Sequence, residues 1–195
     1  ADDDVRAFLE QSPSMFLNLW MAASKCIMSA ASGLDGASLI TAMGGNGVEM
    51  GLQIAGLPGV WFTVPATPPT GQIGDGLEAG RALGAIGDSA VVEALGLGAM
   101  NITGAPEQLK ALGPYAPTDY EARIAALKMG PHLDFVGAAP PIGINLRDVV
   151  AYGCGPMVAL GIIDREGELG RIGGGIYNPP LDPFTAALAA LNTPV

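Results

Sequence analysis

Residues 38 to 66 carry three short apolar runs separated by tight-turn sequences, a pattern that few folds can accommodate. Ser38-Leu-Ile-Thr-Ala-Met43, Val48 to Ala55 and Val60-Trp-Phe-Thr-Val64 each have strand length, and Gly44-Gly-Asn-Gly47 and Leu57-Pro-Gly59 lie between them. Glycine and asparagine tolerate the positive φ angles of hairpin turns, so the runs are expected to fold back on one another as an antiparallel meander. A second hairpin is expected where the apolar stretches 156–164 and 169–176 flank the polar linker Asp164-Arg-Glu-Gly-Glu168.

Helices are expected before, between and after these strands. Ser12 to Ser32 reads as one, with Ser12 as N-cap, Pro13 in the first turn and Gly33 as the stop. Its apolar residues surround it almost completely, which predicts a central, buried helix. Asp88 or Ser89 caps a helix running to about Met100. Thr118-Asp-Tyr-Glu121 has capping-box form and opens a helix ending near Met129, before Gly130-Pro131 and a short strand at 133–136. Asp182, with Pro183 after it, caps a last helix reaching about Asn192. Residues 67–87 lack periodicity and read as an irregular excursion. Strands in two groups with helices between and after them predict an α+β fold, with antiparallel or mixed strands, in a single domain over 1–195.

Mean hydropathy is positive at +0.38, yet the longest apolar stretches, such as Met157 to Ile163, fall far short of the ~20 residues of a spanning helix. Only 14% of the residues are charged, too few to cover a whole surface, which predicts burial against another chain as a homo- or hetero-oligomer. A net charge of −10, with the nine Lys and Arg scattered singly, argues against nucleic-acid binding. Cys26 and Cys154 have no metal-ligand spacing and suit a reducing cytoplasm. No Asp/Glu/His cluster has metal spacing either, and no cofactor is expected. The chain opens at Ala1-Asp-Asp-Asp4 without an initiator Met, as a processed or truncated piece of something longer would.

Several segments have the residue types for small-molecule chemistry. Arg171-Ile-Gly-Gly-Gly175 offers a guanidinium and accessible backbone N–H groups for a phosphate or carboxylate, although glycine runs also serve tight turns. Ile86-Gly-Asp-Ser89 sets a carboxylate and a hydroxyl at a helix start, where the simpler reading is an N-cap. Asn46 carries an amide able to hydrogen-bond a substrate carbonyl, within what is first a turn signal. His132 is the only histidine; it has the chemistry of a general base, and its place after Gly130-Pro131 at the edge of an apolar strand reads first as structural or surface.

Taken together, Trp20-Met-Ala-Ala-Ser-Lys25, Thr41-Ala-Met-Gly-Gly-Asn-Gly47 with Gly51-Leu-Gln-Ile-Ala-Gly56, Trp61-Phe-Thr-Val-Pro-Ala66, Ile86-Gly-Asp-Ser89 with Glu93, and Gly170-Arg-Ile-Gly-Gly-Gly175 with Pro179-Pro180 resemble the YlbE/AllG-like family in order along the chain. The resemblance implies a subunit of an oxamate carbamoyltransferase-like enzyme of purine catabolism and allantoin degradation. There oxalurate and phosphate exchange with oxamate and carbamoyl phosphate, with an FdrA-like partner subunit. It also implies that this chain is the C-terminal half of a longer protein. Asn46, Asp88 and Ser89 become the catalytic candidates. Arg171, Gly173, Gly174, Gly175, Lys25, Trp61 and Asn145 become the substrate- and anion-binding candidates. Asn145 and Asp164 stand where the family tends to have an aspartate and a histidine. A non-catalytic scaffold subunit and a small-anion binding module are the alternatives. The enzyme reading expects the loops at 44–47, 86–89 and 171–175 to share one cradle.

Overall fold

The structure, a computed structural model of the 195-residue chain, describes residues 3–12, 15–132, 134, 137 and 139–193. The meander is present. β1 (Ile40–Asn46), β2 (Glu49–Ile54) and β3 (Phe62–Pro65) pair antiparallel in sequence, in register from Ile40↔Ile54 to Gly45↔Met50 and from Glu49↔Pro65 to Leu52↔Phe62. Gly47, at φ +87, turns β1 into β2. The two-residue β5 (Ile86–Gly87) closes the far edge, giving the order β3-β2-β1-β5.

The second hairpin is also as expected: β8 (Val158–Ile163) and β9 (Arg171–Tyr177) pair from Val158↔Tyr177 to Ile163↔Arg171. Asp164 ties off its turn, accepting from the backbone N–H groups of Glu166, Glu168 and Leu169 and from Arg81 Nε at 2.9 Å and Nη2 at 2.6 Å. The Arg81 guanidinium holds this carboxyl well below the usual carboxylate range.

Residues 67–87, expected to be irregular, contain more order than their sequence suggests. β4 (Thr70–Ile73) joins the outer face of β9, making a three-stranded sheet ordered β4-β9-β8, and β5 lies at the segment's end. Strands this short need no periodicity of their own because their partners define them.

The helix beginning at Ser89 stops sooner than expected. α3 (Ala90–Leu95) ends where Gly96 turns left-handed at φ +85, and Gly98 leads into a 3-10 stretch at Ala99–Gly104. All six residues of α3 are buried. α4 (Pro106–Leu112) follows, with proline in its first turn.

The capping box at Thr118–Glu121 does not form. α5 (Tyr120–Leu127) has Asp119 at its N-cap without a side-chain cap bond. The Asp119 carboxylate is taken instead by the Tyr152 hydroxyl at 2.9 Å and Arg123 Nη2 at 3.3 Å. α5 gives way at once to β6 (Lys128–Pro131), which pairs with β7 (Pro141–Ile144). The expected strand at 133–136 falls mostly outside the described residues. α6 (Leu146–Tyr152), unforeseen, is capped by Asn145, whose side chain accepts from Arg147 N at 3.0 Å. α7 (Asp182–Leu191) matches expectation with the cap displaced to Leu181.

The largest departure concerns the N-terminal helices. α1 (Asp3–Gln11) has no buried residue, and α2 (Met15–Ser29) buries only Ser24 and Met28. Ser12, the expected N-cap, lies between α1 and α2 and accepts from Met15 N at its carbonyl at 2.9 Å, while Pro13 falls outside the described residues. α2 is therefore not the buried central helix that its apolar circumference predicts: Phe16 is 68% exposed and Leu19 59%. An all-round apolar helix calls for cover on every side, and the described residues cover one stripe of it, against α3 and β1. The core lies between the meander and the helices behind it, where Ile40, Leu52, Ile54, Leu127, Ile144 and Phe184 are sealed from solvent. All strand pairings are antiparallel and helices pack around them, which makes the fold α+β. Among the described residues no helix is long and apolar enough to cross a membrane.

Candidate functional site

A cleft of about 1110 Å³ opens between α2 and the rim of the meander sheet. Its floor is backbone. Gly44 and Gly45 of β1 face Gly87 of β5 across the pairing Gly45↔Gly87. A Cβ at Gly45 would stand 2.3 Å from the carbonyl oxygen of Ala85, so only glycine lets β5 approach this closely. Gly51 does the same for the aromatic wall: a Cβ there would meet Thr63 Cγ2 at 2.9 Å and Trp61 Cε3 at 3.1 Å. Trp61 therefore lies with its ring against the β2 backbone, half exposed at the rim.

Three charged side chains line this space: Lys25 from α2, Glu49 from β2 and Asp88 from the segment entering α3. Glu49 accepts from Thr63 Oγ1 at 3.1 Å. Among the described residues the side chains of Lys25 and Asp88 have no ion-pair or hydrogen-bond partner, so each can meet a ligand. Asn46 serves the turn first, since its Oδ1 accepts from Val48 N at 2.9 Å and Glu49 N at 2.7 Å. That bonding leaves the two amide N–H donors as what Asn46 can offer the cleft. The arrangement suits a small, partly planar molecule with one anionic end, held by one ammonium, an amide donor and carboxylate acceptors against an aromatic face.

α3 is held rigidly behind the cleft. Glu93 is 2% exposed and accepts from Ala99 N at 2.6 Å, Met100 N at 3.1 Å and Ala159 N at 3.2 Å, joining α3 to β8. Burial pushes its carboxyl up to about 7 in spite of those donors and the nearby Lys128. The Lys128 ammonium donates to Met100 O at 3.2 Å, and burial lowers it to about 8. Gly98 permits the approach of the Glu93 carboxylate to Ala99 N, because a Cβ there would sit 2.2 Å from Glu93 Oε1.

The sequence candidates thus divide. Lys25, Asn46, Trp61 and Asp88 come together in the cleft. Ser89 sits one residue further on as the N-cap of α3, without a side-chain cap bond, and is not among the lining residues. Arg171, Gly173, Gly174 and Gly175 lie in β9 and do not line the cleft either. The backbone of the glycine run belongs to a sheet, paired with Ile73, Gln72 and Gly71 on one side and Ile162, Gly161 and Leu160 on the other. Cβ atoms at Gly173 and Gly175 would lie 2.1 and 2.3 Å from the carbonyls of Gln72 and Thr70. Arg171 Nε donates to Gly173 O at 2.9 Å. Of the three loops expected to share one cradle, those at 44–47 and 86–89 meet, and the one at 171–175 builds the neighbouring sheet. Asn145 caps α6 and accepts from Ser38 Oγ at 2.8 Å, away from the cleft. His132 Nδ1 accepts from Asp134 N at 3.1 Å beyond the end of β6. Cys26 and Cys154 are both free thiols.

Glu49 and Asn18 were not foreseen as lining residues. A signal for Asn18 existed in the spacing of Asn18, Ala22 and Lys25, which puts the three on one helical face. Glu49 had none, since its place depends on how β2 pairs. Among the described residues no group of three or more His, Cys, Asp and Glu side chains is placed to hold a metal ion.

Comparison with known proteins follows the same outline. Residues 1–89, which carry every cleft-lining residue but Val91, match the family described as "Oxamate carbamoyltransferase subunit AllG". The chain is 34% identical to the oxamate carbamoyltransferase subunit AllG of Escherichia coli K12, over 96% of this chain and 47% of that protein. It is 33% identical to the uncharacterized protein YahG of the same organism, over 87% of this chain and 37% of that one. A crystal structure of a conserved protein of unknown function from Enterococcus faecalis V583 superposes with a TM-score of 0.79 at 31% identity, covering 89% of this chain and 43% of that one. Residues 1–89 thus match the AllG family, and the stretch that the chain shares with these proteins is less than half of the length of each.

Proposed function

We propose that this chain supplies the small-molecule cleft of a carbamoyltransferase-type enzyme subunit, acting on oxalurate and oxamate or a related small carboxylate with phosphate. The observation that supports this reading is the convergence of Lys25, Asn46, Trp61 and Asp88. They arrive from four separate stretches of sequence at one glycine-floored cleft, within the part of the chain that matches the AllG family.

In this reading the Lys25 ammonium draws in the anionic end of the substrate or the phosphate. The Asn46 amide donates to the carbamoyl oxygen, where negative charge develops as a phosphate oxygen attacks the carbamoyl carbon. The bond from that carbon to the oxamate nitrogen breaks. The phosphate's proton passes to that nitrogen, leaving carbamoyl phosphate and oxamate. Asp88 accepts from the reacting N–H groups and orients them, and Trp61 covers the ligand from the rim. The chain works as one subunit of an oligomer with an FdrA-like partner, in the cytoplasm, within allantoin degradation.

Phosphate-dependent oxalurate cleavage, assayed with and without candidate partner subunits, tests the proposal. Turnover is expected in the complex, with Lys25→Met and Asp88→Asn each lowering kcat/KM by about 100-fold or more at unchanged melting temperature. Absence of turnover in every combination would discard it. The exposed apolar faces of α1 and α2 favour one alternative, a scaffold subunit that completes a partner's active site. In that case both variants keep the activity of the complex within several-fold.

A further inference from the structure

α2 presents two different faces. Asn18, Ala22 and Lys25, at spacings of four and three, line the cleft. Phe16, Leu19, Ala23 and Ile27, at spacings of three, four and four, form an apolar stripe on another side, and Phe16, Leu19 and Ile27 are 68%, 59% and 38% exposed. This is the spacing that seats an apolar helix or groove along a helix. α1 repeats the pattern in miniature with Val5, Phe8 and Leu9, exposed by 52%, 63% and 43%. A helix of nine residues with nothing buried is shorter than the roughly 12 to 15 residues needed for stability alone in water, so α1 calls for a surface to pack on.

What covers this surface is suggested by length. The matched relatives extend well beyond this fold, since the chain covers 47% and 37% of the two E. coli proteins and 43% of the Enterococcus faecalis protein. Each relative therefore holds at least as much polypeptide again beside the shared part. Charge adds a second requirement: the flanks of α1 carry Asp3, Asp4 and Glu10 against Arg6 alone, which favours a basic rim on the occupant.

We propose that the apolar faces of α1 and α2 seat a polypeptide that corresponds to the unmatched part of these relatives. Docking there holds α2, and with it Asn18 and Lys25, against the cleft. The proposal rests on the exposed faces and the relatives' length, so it stands or falls independently of the carbamoyl-transfer reading.

The test mixes this chain with the separately produced unmatched portions of the E. coli AllG and YahG proteins, followed by light scattering and amide hydrogen exchange. A one-to-one complex with at least one of them is expected, with new exchange protection in α1 and α2. The double variant Phe16→Asp with Leu19→Asp alters exposed positions only, so its circular dichroism should match the parent chain while its affinity falls by about 100-fold or more. Failure to associate with either portion overturns the proposal. So does a complex that the double variant leaves intact, since its seat then lies elsewhere. A stable homodimer broken by the same substitutions also overturns it, making a second copy of this chain the occupant.

Discussion

Gly44, Gly45 and Gly87 border a cleft, whereas Gly173, Gly174 and Gly175 are packed between two neighbouring strands. In sequence both stretches read as glycine-rich loops of one shared cradle. At Gly44 an added Cβ would meet its nearest neighbour, Gly87 O, at 3.8 Å, an ordinary contact. At Gly175 it would stand 2.3 Å from Thr70 O and 2.8 Å from Gly71 Cα. The first glycine keeps space open for something else, and the second removes a side chain so that β4 can approach β9. What differs is whether a strand occupies the space, and that is decided by a partner about 100 residues away in sequence.

Substitution puts the contrast at risk most directly. Gly175→Ala should cost about 3 kcal/mol in urea unfolding, at the upper end for overpacking, because the obstacle is backbone and cannot rotate away. Gly44→Ala should leave stability within about 0.5 kcal/mol while weakening oxamate or phosphate binding measured by calorimetry. If both variants unfold alike, or if Gly175→Ala spares stability and abolishes binding, the division between cleft and sheet is wrong.

The pH dependence of stability sharpens the same division from behind the cleft. The Glu93 carboxyl is raised from 4.5 to about 7 in the folded protein. Between those values the folded state holds more proton than the unfolded chain, so the stability it contributes is full below about pH 4.5 and is lost as pH rises through 7. Lys128, lowered from 10.5 to about 8, acts in the opposite sense: stability rises with pH between those values. Chemical unfolding from pH 4.5 to 7 should show a decline of about 2 kcal/mol from this carboxyl, and Glu93→Gln should flatten it. Asp164 and Asp119, whose carboxyls are lowered by Arg81 and chiefly by Tyr152 respectively, stabilise above the ordinary aspartate range and lose that contribution only in more acid solution.

The smallest expected effect concerns Asn145. It belongs to the residues singled out by family resemblance, yet it caps α6 and bonds Ser38. Asn145→Ala should cost about 1 kcal/mol in thermal unfolding, as loss of an N-cap does, with ligand binding unchanged. A binding defect at full stability would bring this residue back into the site.

Much of the fold could be read from the chain because its causes are local. Asn46-Gly47 forces a turn, the runs on either side have strand length, and Pro183 marks the start of the last helix whatever surrounds it. Likewise the stretches that carry Lys25, Asn46, Trp61 and Asp88 could be picked out by their order along the chain. Three other features were decided by contacts between distant parts. β4 and β5 exist because β9 and β1 present edges to them. Asp119 forgoes its cap because Tyr152 and Arg123 compete for the same carboxylate. α2, apolar on every side, is buried on one stripe alone because a sequence states what a helix needs to cover and not which polypeptide covers it. Periodicity and turn chemistry act over a few residues and are written in the sequence directly. The identity of a neighbour across a cleft, a sheet edge or an apolar face depends on the whole chain's path, and only the tertiary structure settles it.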